Sequence, residues 1–179
     1  RKNGTKDSLF AKYEEINKEH PDSAIYFFNY GLELYQYASD TTKTQLSNMD
    51  ELVKKSQEKL QKSLQLNPDY PQASLVLGQI SYNEGIALQQ QAKAIKGTKP
   101  EDLKKRADIK AEAMKKFDEA IPYFEKIDQL LGKEGVLKRA DKTSLKDAYD
   151  LLVTIYEQKR DKDKAAAWTD KYNNVEKVH

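Results

Sequence analysis

A chain of 179 residues that is only 38% apolar, with a mean hydropathy of -0.89, is lean for one compact core. Its 31 basic and 29 acidic residues nearly cancel, so the net charge of +2 gives no global pull toward nucleic acid or acidic lipid. The lack of cysteine excludes disulfides and thiolate metal sites, and no apolar run approaches the ~20 residues that cross a bilayer. The start, Arg1-Lys-Asn-Gly-Thr-Lys, lacks the apolar core of a secretory signal. Seven glycines and five prolines fall mainly where helices should begin, end or pack closely, which predicts an all-α chain.

The periodicity predicts about seven helices. The first covers 7–19, with Leu9, Tyr13 and Ile16 on one face and Pro21 beyond its end. The second, 23–38, is apolar almost all round and is expected to be the most buried element. A polar stretch from Ser39 to Asn48 leads to the third, 49–66, with Leu52, Leu60 and Leu64 inward and Pro68 after it. The fourth spans 72–95. The fifth spans 101–131, with Thr98 and Glu101 at capping-box spacing and Pro100 suited to a first turn. Pro122 lies deep inside it, predicting a kink or two helices in place of one. Gly132 and Gly135 end it. The sixth helix opens near Ser144 and ends around Arg160, and the turn Asp161-Lys-Asp-Lys feeds the seventh, 165–177, with Trp168, Tyr172 and Val175 inward.

The chain also repeats itself. His20-Pro-Asp-Ser and Asn67-Pro-Asp-Tyr each open a helix, and each proline is followed ten residues later by a glycine, Gly31 and Gly78. Phe27, Tyr30-Gly31 and Leu34 are in phase with Ser74, Leu77-Gly78 and Ser81, and with Tyr149, Leu152-Val153 and Tyr156. In the intervening helices, Ser56, Leu60, Ser63 and Pro68 keep the spacing of Leu9, Tyr13, Ile16 and Pro21. Ala120, Phe124, Ile127 and Gly132 keep it too, and the last helix keeps Ala165.

These helix pairs resemble the tetratricopeptide repeat family, in which a small residue sits at each helix crossing, an aromatic fills the gap and a proline stops the second helix. The interval from Pro21 to Pro68 is 47 residues against the family's ~34, so the helices or loops are extended. The resemblance implies a single domain over 1–179, a right-handed α-α superhelix or solenoid. It would comprise a half repeat at 5–21 and repeats at about 22–68, 69–132 and 143–178. The first helix has the phase of a second helix in a pair, which predicts that the chain is the C-terminal part of a longer protein. The tyrosine- and lysine-rich, cysteine-free character leans toward a bacterial envelope or periplasmic location.

Catalytic material is sparse. His20 and His179 are the only histidines, and there is no glycine-rich phosphate loop or serine nucleophile elbow, so neither enzyme activity, a cofactor nor a metal site is expected. Carboxylates spread along helix surfaces with lysines nearby, as at Glu51 and Lys55, read as a solvated face. From Lys93 to Lys116 nine basic residues meet four acidic ones, and the lysine-rich helix at 99–116 could serve a nucleic-acid-binding or regulatory module. Nucleic acid is disfavoured, because Arg106 is the sole arginine there and no aromatic interleaves the lysines.

In the family, peptides lie in the groove lined by the first helix of each pair. By phase, the resemblance implies a groove of Phe28, Asn29, Leu32, Tyr35 and Gln36, then Leu75, Gln79, Tyr82 and Asn83, then Asp150, Thr154 and Glu157. Tyr35 and Tyr82 occupy equivalent places, where tyrosine suits peptide recognition or, equally, packs as core under the long second helices. Of the lysine and asparagine clamp used by members that bind chaperone tails, only Asn29 matches, which argues against a C-terminal carboxylate ligand. The expected function is a non-catalytic scaffold that binds a protein or peptide partner in this groove. An accessory or sensing domain of a larger enzyme is a further alternative.

Overall fold

The computed structural model describes residues 3–40, 48–133 and 135–179, and over these the chain is all-helical, with seven helices and no strand. They are α1 (Asn3–Glu19), α2 (Ala24–Ala38), α3 (Met49–Leu66), α4 (Pro71–Ala94), α5 (Pro100–Leu131), α6 (Arg139–Gln158) and α7 (Lys162–Val178). The polar stretch expected between α2 and α3 lies mostly outside the described residues. The chain forms two compact units, Arg1–Val76 and Leu77–His179, with the division inside α4.

In the first unit α2 buries Phe27, Tyr30, Gly31, Leu34 and Ala38, spaced by three and four residues so that they share one face. The α3 helix answers with Leu52, Ser56, Leu60 and Ser63. Gly31 permits the close crossing: a Cβ there would lie 2.7 Å from Leu60 Cγ and 3.1 Å from the Ser56 carbonyl oxygen. Ser56 Oγ donates to the Gly31 carbonyl at 2.7 Å and Ser63 Oγ to the Ala24 carbonyl at 2.8 Å. Both serines and both acceptors are two turns apart and in opposite order, so the two helices run antiparallel. Phe10 and Tyr13 of α1 close the cluster of Tyr30, Leu34, Ala38 and Leu52, with Tyr13 stacked on Tyr30 at 5.2 Å and 7°. Contrary to the all-round apolar reading of α2, Ile25 and Tyr26 remain 52% and 37% exposed.

In the second unit α5 buries Ala113, Phe117, Ala120, Phe124, Ile127 and Leu131, an alternation of four and three residues that forms a coiled-coil-like seam. The Phe124 and Phe117 rings enter two glycine notches of α4. A Cβ on Gly78 would lie 2.5 Å from Phe124 Cε1, and one on Gly85 would lie 2.7 Å from Phe117 Cε1. In the same unit α6 buries Ser144, Leu145, Ala148, Tyr149, Leu152, Ile155 and Tyr156, and α7 contributes Ala165 and Val175.

Most phased positions are core positions within each unit: Tyr30, Gly31, Leu34, Ser74, Leu77, Gly78, Ser81, Tyr149, Leu152 and Tyr156 are buried, as are Ala120, Phe124 and Ala165, whereas Leu9, Tyr13, Ile16, Gly132 and Val153 are half-buried. Pro21 and Pro68 lie just beyond the ends of α1 and α3 and are exposed.

Several boundaries differ from the sequence reading. The α5 helix runs unbroken through Pro122, whose ring is exposed while Ala120, Phe124 and Ile127 beside it are fully buried. Packing of that inward face offsets the one backbone hydrogen bond that proline removes. The N-cap of α5 is Lys99 with extended backbone and no side-chain cap bond, so the expected Thr98–Glu101 box is not the device used; Pro100 does open the helix. The sixth helix begins at Arg139, five residues earlier than expected, because Ser144 is a buried interior residue that donates to the Ala140 carbonyl at 3.1 Å. Asp161 caps α7 by accepting from the Lys164 N–H at 3.1 Å. Of the expected inward stripe of α7 only Val175 is buried: Trp168 is half-buried and Tyr172 exposed.

Candidate functional site

The groove positions sit one step around each first helix from the core positions, and none of them is buried. In the first unit Phe28, Asn29, Leu32, Tyr35 and Leu75 are half-buried and Gln36 is exposed. Phe28 is not free to line a groove alone, since its ring packs at 4.9 Å on Tyr70. In the second unit Gln79, Tyr82 and Thr154 are half-buried, while Asn83, Asp150 and Glu157 are exposed.

Tyr82 and Asp150 are brought together across α4 and α6. Burial and the Asp150 carboxylate push the Tyr82 phenol above its ordinary pKa, so the hydroxyl stays protonated as a donor. The Tyr82 ring packs on Phe117 at 5.7 Å between centroids. The tyrosine is therefore half-buried, with its ring on the core and its phenol within the field of the Asp150 carboxylate. Gln89 Nε2 donates to Gln158 Oε1 at 3.1 Å further along the same two helices. The Thr154 hydroxyl turns back on its own helix, donating to the Asp150 carbonyl at 3.0 Å.

Glu157 lies elsewhere, on a cavity of about 590 Å³ between α6 and α7, with Arg160, Lys162, Ala165, Ala166, Thr169 and Asp170. Arg160 is the one non-glycine described residue with a positive φ, 59°. It occupies the left-handed position of a Schellman turn: its N–H bonds the Glu157 carbonyl at 3.0 Å and the Asp161 N–H bonds the Tyr156 carbonyl at 2.9 Å. Glycine would adopt this conformation without the cost a Cβ imposes.

Two polar knots tie helices together. In the first unit Glu14 accepts from Tyr30 Oη at 2.9 Å and pairs with Lys55 at 2.8 Å and Lys59 at 3.2 Å. Burial alone would raise the Glu14 carboxyl, but the bonds from Lys55, Tyr30 and Lys59 outweigh it and hold the pKa at about 2. In the second unit Asp128 accepts from Tyr149 Oη at 2.5 Å and pairs with Lys171 at 2.6 Å, and Lys171 lies 4.6 Å from the centre of the Trp168 ring. Burial and Asp128 together raise the Tyr149 phenol far above its usual range. Lys55 thus reaches across to Glu14 on α1 instead of along its helix to Glu51. Both knots hold core aromatics, which gives them a structural role.

The sequence reading missed the α6–α7 cavity, the Arg160 conformation and a cluster of Lys93, Lys96, Arg106 and Lys110 around a further cavity. The signal for the last was the basic run from Lys93 to Lys116, read as a linear stripe when only some of its residues meet. Among the described residues no group of three His, Cys, Asp or Glu side chains is placed to hold a metal ion, and no helix is long and apolar enough to cross a membrane. No protein-family model matches the chain, and no curated protein matches it.

Proposed function

We propose that the chain is a non-catalytic helical-repeat scaffold, similar to tetratricopeptide repeats and to their right-handed superhelix, that binds a protein or peptide. The supporting observation is a division of labour on the first helices. The phased positions such as Tyr30, Gly78 and Tyr149 are buried, while the neighbouring positions are half-buried or exposed. Tyr82 beside Asp150 is the best-defined part of that surface. A tyrosine gives apolar area and a donor at little entropic cost, and the adjacent carboxylate favours a basic side chain on the partner.

Selection of displayed random peptides on the protein, followed by affinity measurement with variants, tests this reading. Tyr82→Ala and Asp150→Asn should each weaken a selected peptide by about tenfold while the fold persists, the cost expected for anchor contacts. Selected peptides that bind both variants as tightly as the parent would overturn it. Nucleic-acid binding through the lysine-rich helix is separable by salt: phosphate-dominated affinity falls by roughly 10³–10⁵ between 50 and 200 mM salt, and groove binding does not.

A further inference from the structure

Where α4 ends beside α5, Ala92, Lys93, Ile95, Lys96, Arg106 and Lys110 line a cavity of about 270 Å³. Four cationic side chains converge there over a small apolar floor. Several lysines elsewhere are answered by carboxylates, as Lys6 is by Glu33, Lys55 by Glu14, Lys116 by Glu84 and Lys159 by Asp118. No carboxylate of the described residues pairs with the four cations of this cavity. Asp102, one turn before Arg106 on α5, packs its carboxylate against Gly97 and is not part of the lining.

Arg106 is held in place. Its Nη2 donates to the Gly97 carbonyl at 2.7 Å, while its Nε is buried and has no acceptor in the protein. A guanidinium fixed at one end, beside ammonium groups that no described carboxylate pairs, is an arrangement whose remaining N–H donors suit an anion's oxygens.

We propose that this cavity binds the phosphoryl group of a small phosphorylated molecule, with Arg106 as the directional donor and Lys93, Lys96 and Lys110 supplying charge around it. A single carboxylate would leave most of the positive charge unmatched, whereas a phosphomonoester dianion or a pyrophosphate offers several oxygens to several converging donors. A nucleic-acid strand fits less well, since no aromatic side chain lines the cavity to stack a base. The site lies within the second unit and stands independently of the peptide surface proposed above.

Isothermal titration at fixed ionic strength tests the assignment, with pyrophosphate and inorganic phosphate as probes and a short oligothymidylate as the competing class. Pyrophosphate should bind saturably, one per chain and more tightly than phosphate. The exposed pair Lys93→Gln and Lys110→Gln, combined, should weaken it by about tenfold or more, and Lys115→Gln, on the same helix outside the cavity, should leave it within about twofold. The proposal is overturned by the absence of saturable binding. Equal losses in the Lys115 variant overturn it as well, since they would mark diffuse charge attraction. Tighter binding of the oligonucleotide than of pyrophosphate would do the same, identifying a nucleic-acid surface in its place. Thermal melts of the variants confirm that lost binding is not lost folding.

Discussion

At the α2–α3 crossing of the first unit, Gly31 meets a branched aliphatic side chain, Leu60, and two serine hydroxyls fasten the helices by bonding carbonyls of α2. At the α4–α5 crossings of the second unit, Gly78 and Gly85 each receive a flat phenylalanine ring, Phe124 and Phe117. One seam therefore gains specificity from directed hydrogen bonds, while the other gains it from shape. A serine bonded to a carbonyl fixes register at a modest net energy of roughly 1 kcal/mol, because that carbonyl exchanges water for a second donor. A ring in a glycine notch buries far more apolar area and tolerates no Cβ opposite it. The same repeat phase thus supports two different interlocks.

The sharpest break in that contrast comes from removing a ring. Phe124→Ala should cost about 3–5 kcal/mol in chemical denaturation, since it empties a fully buried site bounded by a backbone that cannot collapse into it. Gly78→Leu should cost about 1–3 kcal/mol by overpacking, although glycine is the poorer helix former. The two sites should be coupled: in a Phe124→Leu background Gly78→Ala should cost less than it does alone, by an interaction of at least about 0.5 kcal/mol. Strict additivity would show that ring and notch are not one interlock.

The first unit's stability should depend on acid in a way that its polar knot sets. Glu14 is held at a pKa of about 2 against a reference of 4.5, so its contribution is fully present above about 4.5 and is lost as pH falls through that window. The carboxylate is about one-third exposed, so solvent screening reduces the loss to on the order of 1 kcal/mol. Glu14→Gln should lower stability at pH 7 and flatten the slope between pH 5 and 2. An unchanged slope in that variant would place the acid sensitivity elsewhere. Asn17 offers the opposite sign in the same unit. Its side chain is buried with neither its oxygen nor its nitrogen bonded, so Asn17→Leu should stabilise by about 1 kcal/mol in equilibrium unfolding. A loss of stability there would mean that the amide is satisfied by water.

What was legible in the sequence follows from the same physics. Gly31 and Gly78 stood out because glycine inside a helix needs a reason, and the phased Leu60 and Phe124 supplied it. Gly85 and Phe117 carried the same signal one heptad on, but they lie outside the repeat phase and went unread. Ser56 and Ser63 were placed correctly without their bonds, since periodicity locates a side chain but does not name its acceptor. The Glu14 and Asp128 knots were invisible because each joins residues far apart in the chain. Ser144 was misread as a helix start because serine favours caps, a preference that burial between helices overrides here. At the candidate surface, phase found the half-exposed positions, while the field of Asp150 at Tyr82 and the convergence of cations around Arg106 needed helix neighbours to be known.

The smallest expected effect tests whether a local cost in the second unit is retained for a side chain. Arg160 holds φ at 59° in the turn between α6 and α7, the position where a Schellman motif ordinarily takes glycine. A Cβ in the left-handed region costs roughly 1–2 kcal/mol, and replacing it by glycine returns part of that to greater freedom of the unfolded chain. Arg160→Gly should therefore raise stability by about 0.5–1 kcal/mol, seen as a shift of the denaturation midpoint at constant slope. The backbone bonds from Arg160 and Asp161 to the α6 carbonyls do not depend on the side chain, so the turn itself should persist. The guanidinium would be lost from the α6–α7 cavity it shares with Glu157 and Asp170. A gain in stability would identify this turn as a place where backbone strain is retained. A loss would show that the arginine's contacts along the cavity outweigh the strain of its backbone.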